Sequence, residues 1–165
     1  VMSEIIIREY TEKDLPEMVR VWNEIIEAGI YFDYDEILSV DYVRGWFAEQ
    51  TAAVVAERSD GHICGMYILH PNGRGRCSHI ANASYAVEEV SRGQHIGEMM
   101  VRDSIERAKS AGFRILQFNC VVEDNTAARE LYAKLGFTQI GTIPGGLRIK
   151  DGSYVNTCPY YIELR

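Results

Sequence analysis

Residues 85–98 read Tyr85-Ala86-Val87-Glu88-Glu89-Val90-Ser91-Arg92-Gly93-Gln94-His95-Ile96-Gly97-Glu98, a strand-like stretch that turns through two glycines into a helical period. A helix start leaves backbone N–H groups without partners and carries a partial positive charge. Glycines bring that backbone close to a ligand, so the segment suits a phosphate or pyrophosphate. An ordinary turn built on the same glycines is the plain alternative. No Gly-Lys-Ser/Thr follows, so this is not a P-loop, and the dinucleotide glycine fingerprint is absent. A second group of polar residues lies inside apolar, strand-like segments. With a period of two, Asn82 and Ser84 share one face of 79–87, and Gln117 and Asn119 share one face of 113–122. Polar side chains there are costly unless satisfied, which makes Asn82 and Asn119 better site candidates than surface charges, unless they merely satisfy each other or the backbone. Cys120 is read as a buried thiol on the opposite face from Asn119, with no base beside it. Cys64, Cys77, Cys120 and Cys158 are widely spaced, without a CxxC pair or a histidine at zinc-ligand spacing. No metal site is expected.

These residues need strands and helices to hold them. Ile5-Ile6-Ile7 suits a strand, and Leu15, Met18, Val19, Trp22, Ile25 and Ile26 lie on one helical face. Asp14 is the expected N-cap of that helix and Gly29 its stop. A second amphipathic stretch covers about 39–50. Strands are expected over 52–57 and 63–69, joined by an Asp60-Gly61 hairpin turn, and over 79–87. A helix is expected over 97–111, a strand over 113–122 and a helix over 126–135. Strands at 137–143 and 153–164 close the chain, with Gly145-Gly146 and Asp151-Gly152 as turns. This order predicts a single α/β domain over 1–165, with a mixed, mostly antiparallel sheet of six to seven strands and helices on both faces.

The composition agrees. The 165 residues are 47% hydrophobic and 25% charged, enough apolar side chain for a real core. A net charge of −7 argues against a bulk grip on nucleic-acid phosphates. No apolar run approaches the ~20 residues of a membrane span, and charges through residues 4–14 speak against a secretory signal. Reduced cysteines and a cytoplasmic setting are therefore expected.

The chain resembles the GCN5-related N-acetyltransferases, the GNAT superfamily. Their signature, Arg/Gln-x-x-Gly-x-Gly/Ala after a strand, is met by Arg92-Gly93-Gln94-His95-Ile96-Gly97, with His95 in place of the middle glycine. Val87-Glu88-Glu89 stands where Val-x-Pro is usual, so the proline is missing. The second landmark, an asparagine followed by Leu-Tyr-x-Lys-x-Gly-Phe, matches Asn125 and Leu131-Tyr132-Ala133-Lys134-Leu135-Gly136-Phe137. The resemblance implies that acetyl-CoA is the cosubstrate. Its pyrophosphate would be held by the backbone of Arg92, Gly93, Gln94, His95, Ile96 and Gly97, and its pantetheine would pair with Tyr85, Ala86 and Val87. Asn125 would touch the cofactor or simply cap its helix. Tyr132 would be the general acid that reprotonates the CoA thiolate.

Ser78-His79-Ile80-Ala81-Asn82 and Phe118-Asn119-Cys120-Val121-Val122-Glu123-Asp124-Asn125 are similar to fungal N-acetyltransferases that act on proline analogues such as azetidine-2-carboxylate. That likeness implies that Asn82 and Asn119 belong to the reaction site, with His79 or a water chain taking the amine's proton. The implied reaction is direct acetyl transfer to the amine of a small molecule: an amino acid, an amino-acid analogue or a xenobiotic amine. A protein N-terminus or lysine as acceptor, or a non-catalytic acetyl-CoA sensor, are the competing readings. Homodimers are common in the family, and the C-terminal strands are candidate edges.

Overall fold

The computed structural model describes residues 4–165. β1 (Ile5–Glu9) leads through a single 3-10 turn into α1 (Leu15–Ala28), then α2 (Val40–Ala48), β2 (Ala52–Arg58), β3 (Ile63–Pro71) and β4 (Ile80–Val87). After a second 3-10 turn come α3 (Ile96–Ser110), β5 (Ile115–Val122), α4 (Thr126–Lys134), β6 (Thr138–Gln139), β7 (Ile143–Arg148) and β8 (Tyr154–Glu163). The strands form one sheet in the order β1-β2-β3-β4-β5-β8-β6, with β7 also on β8. Every pairing is antiparallel except β4 with β5.

The sheet is covered on both faces. On one, Leu15, Met18, Val21, Trp22, Ile25 and Ile26 of α1 and Val43 and Phe47 of α2 pack on Val55, Met66, Ile68 and Ala86. On the other, Ile96, Met100, Val101 and Ala108 of α3 pack on Val54, Tyr67, Leu69 and Leu116, with Leu131 and Tyr132 of α4 against the same cluster. Each such fully buried side chain contributes roughly 2 kcal/mol. Val21 completes the α1 stripe and Val19 stays only partly buried. Asp14 is the N-cap of α1 by position, but its side chain gives no capping bond. Its carboxylate instead accepts from Arg8 Nη1 at 2.7 Å and from the backbone of Thr11.

The strand count corrects the expected six to seven: there are eight among the described residues. The extra one is β7, which runs through the Gly145-Gly146 pair expected as a turn. Thr157 on β8 lies so close to Gly146 that a Cβ there would fall 2.0 Å from its hydroxyl. The glycine permits a close strand approach where the sequence pattern suggested a chain reversal. β5 also begins at Ile115, two residues later than expected.

Candidate active site

β4 and β5 pair only at Ile80 with Ile115 and Ala81 with Leu116, then diverge. The strands are parallel, so they open like a V toward their C-terminal ends. Asn82 stands at the vertex and donates through Nδ2 to the carbonyl of Gln117 at 2.8 Å, one residue beyond the last ladder pair. Past it, the main-chain groups of β4 that face β5 have no strand partner, whereas β3 occupies its other edge through to Val87. Backbone groups left open in this way suit an extended ligand that carries amides of its own.

The opening is a cleft of roughly 410 Å³. On the α3–α4 side it is lined by Tyr85, Phe118 and Tyr132. The Tyr132 ring packs on Phe118, Phe137 and Tyr160 with centroids 4.6, 5.5 and 5.6 Å away. Burial, then the nearby Tyr160 hydroxyl, pushes the Tyr132 phenol well above its ordinary value, so it stays protonated. Arg129 holds α4 in place, donating to the Tyr160 hydroxyl at 3.1 Å and to the carbonyl of Glu123 at 3.0 Å. Asn125 also lines the cleft, and its Oδ1 caps α4 by accepting from Ala128 N at 3.3 Å.

At the mouth of the V the chain passes through the second 3-10 turn into α3. Gly93 (φ 77°) and His95 (φ 62°, the N-cap of α3) are both left-handed, and His95 is the one non-glycine residue in that region among those described. The histidine thus adopts the conformation a glycine would take freely. Gln94 Oε1 accepts from Arg58 Nη2 at 2.7 Å, and the same nitrogen reaches Ser91 Oγ at 2.9 Å. Ser91 Oγ in turn donates to Glu88, a carboxylate only 2% exposed. Glu88 also accepts from Arg20 of α1 at 3.0 Å and meets His62 of the β2–β3 turn at 2.9 Å. Three elements therefore converge under the turn. Arg92 lines the cleft, whereas Ile96 and Ala86 bury their side chains in the core and can offer a ligand only their backbone.

The remaining wall comes from the α1–α2 linker. Tyr31, Phe32 and Asp33 line the cleft beside Ile25, and the simple periodicities used on the sequence had no means to place them. The cue in the sequence is the run Tyr31-Phe32-Asp33-Tyr34-Asp35, aromatic and acidic in a stretch with no helical or strand period. Asn119 lines the cleft, but it is exposed and bonded to Asn72 at 2.6 Å and Gln117 at 3.0 Å rather than buried in the sheet. Cys120 corrects the two-residue alternation. A bulge between Phe118 and Val121 breaks the register, and Cys120 lines the same cleft as Asn119. Burial, then the charge of Asp33, raises its thiol. His79 is absent from the lining, and its backbone carbonyl accepts from Arg114. Among the described residues, no group of three or more His, Cys, Asp or Glu side chains could hold a metal ion.

Comparison with known proteins gives the family and the fold. The profile of the Acetyltransferase (GNAT) family matches residues 4–137. The N-acetyltransferase aca1 of Schizosaccharomyces pombe is 33% identical over 88 residues, 53% of this chain and 42% of that protein. The chain thus spans less than half the length of that relative. A solved GCN5-related N-acetyltransferase from Kribbella flavida is 32% identical, covers 97% of this chain and 98% of its own, and superposes with a TM-score of 0.88. A phosphinothricin acetyltransferase from Sinorhizobium meliloti, solved in complex with acetyl-CoA, is 20% identical over 99% of this chain and 89% of its own. Its TM-score of 0.90 shows the shared fold.

Proposed function

Because the chain belongs to the GNAT family of N-acetyltransferases, we propose that it moves an acetyl group from acetyl-CoA to the amine of a small molecule by direct attack. One observation carries the reading. A single cleft is lined by the unpaired edge of β4, by Arg92 at the start of the left-handed turn before α3 and by the partly buried phenol of Tyr132. Acetyl-CoA, as the second substrate, supplies a thioester whose carbonyl carbon takes the amine and whose sulfur leaves. The residues present fit it: the α3 N-terminus offers free N–H groups to a pyrophosphate, and residues 83–87 offer backbone pairs to the pantetheine amides.

In this reading Arg92, Gly93, Gln94, His95, Ile96 and Gly97 hold phosphate through their main chain. Tyr85, Ala86 and Val87 pair with the arm of the cosubstrate, and Asn125 supports the same end. Tyr132 gives its proton to the leaving sulfur. Asn82 and Asn119 orient the acceptor on the α1–α2 side, where the amine sheds its proton to solvent through the open mouth. Direct attack is favoured over an acetyl-cysteine intermediate because the raised Cys120 thiol is a poor nucleophile. The wall made by Tyr31, Phe32 and Asp33 favours a compact acceptor over a peptide laid along an open groove.

The test is to incubate the protein with acetyl-CoA and a pooled set of small amines, amino acids and short peptides, reading products by mass spectrometry. A small-molecule product one acetyl group heavier is expected. Tyr132→Phe should lower kcat for it by about 10²-fold, with the KM for acetyl-CoA nearly unchanged. Labelled peptides alone would overturn the small-molecule acceptor. Acetyl-CoA binding without any product would favour a sensor, and an indifferent Tyr132→Phe would remove the phenol from its role.

A further inference from the structure

The acceptor wall carries a charge that nothing among the described residues pairs with. Asp33 is the one carboxylate among the residues lining the cleft, and Arg92, at the phosphate turn, is the one cation. No hydrogen bond or ion pair engages the Asp33 side chain among the described residues. Its field nevertheless reaches the gap between the splayed strands, where it acts on the thiol of Cys120. Tyr31 and Phe32 stand beside it on the same wall. Lys150, on the hairpin that meets Gly29, is outside this lining and donates through Nζ to the carbonyl of Glu27 at 2.9 Å.

We infer that the cleft is built for an acceptor that bears a second positive charge and no carboxylate near the reacting nitrogen, such as an alkyl diamine, with Asp33 as its specificity-determining residue. The inference rests on the transferase reading of the cleft and names its substrate class. A diamine fits the chemistry. One nitrogen must be neutral to attack, while the other stays an ammonium that Asp33 can hold between aromatic rings. An amino acid would bring its carboxylate to a wall whose only charge is negative, and like charges there oppose binding.

The experiment compares 1,4-diaminobutane with 4-aminobutyrate, which keeps the chain length and replaces one ammonium by a carboxylate, and includes proline as the amino-acid case. Binding to the full chain in the presence of CoA is read by calorimetry at low salt, and acetylation of the same three compounds is read by mass spectrometry. The diamine is expected to bind at least about tenfold more tightly than either acid, and Asp33→Asn to shrink that ratio to about twofold. Acetyl-CoA affinity, measured separately, should be the same in Asp33→Asn. Equal or tighter binding of 4-aminobutyrate or proline, an undiminished ratio in Asp33→Asn, or binding by none of the three overturns the inference. The expected order of binding with no acetylated product would instead strike the transferase reading and leave the cation preference standing.

Discussion

His95 shows what one backbone angle costs. A side chain with a Cβ at φ 62° crowds the following carbonyl, at about 1 kcal/mol, although histidine tolerates this better than most residues. Its imidazole gives no capping bond to α3 in return. His95→Gly is therefore expected to raise the unfolding free energy by roughly 0.5 kcal/mol, the relief being partly offset by the freer unfolded chain. His95→Ala should gain nothing, because the alanine Cβ meets the same carbonyl. Urea denaturation of the two variants checks both. The angle itself was half-legible: the glycine positions of the motif mark a left-handed turn, and the histidine in one of them announces strain. The surroundings of Asn82 and Asn119 were less so. Their neighbours Gln117 and Asn72 come from other elements, and strand periodicity says nothing of those.

At the scale of elements, the turn before α3 is held from below. Glu88 is the unspecified middle residue of the Val87-Glu88-Glu89 stretch, yet it ties α1, the β2–β3 turn and Ser91 together. Removing it leaves the Arg20 guanidinium and the Ser91 hydroxyl without their buried acceptor. Glu88→Ala is expected to destabilise the fold by about 2 kcal/mol, because the Ser91 hydroxyl loses its buried charged acceptor while Arg20, 38% exposed, keeps its bond to the Ile63 carbonyl. Because the turn and not the reacting atoms is disturbed, the KM for acetyl-CoA should rise more than kcat falls. Steady-state kinetics beside a denaturation curve separate the two effects. The helices themselves were legible, since α1 and α3 carry their apolar stripes at regular spacing. β7 was not, because Gly146 serves a close contact with Thr157.

For the whole molecule, acid should be the weak side. The Arg8 hydrogen bonds hold the Asp14 carboxyl below its ordinary value in spite of burial. Burial raises Glu88, but hydrogen bonds from Ser91, His62 and Arg20 outweigh it and leave that group lowered too. A carboxylate whose folded pKa lies below its unfolded value, near 4, adds stability that is complete above that value. It is lost as pH falls through the folded pKa. The urea midpoint should therefore be nearly level from about pH 7 to pH 5 and drop below about pH 4. Asp14→Asn should be less stable at pH 7 and show a shallower acid decline. The sequence by itself determined the helices, most strands, the glycine turn before α3 and the two motifs of the family, because these depend on residues close together in the chain. Only the tertiary structure decided where the V opens, that a bulge turns Cys120 toward the cleft, and that the α1–α2 linker places Asp33 on the wall of that cleft. Each of those depends on strands and loops far apart in sequence, whose meeting is set by the packing of the two cores and not by any local pattern.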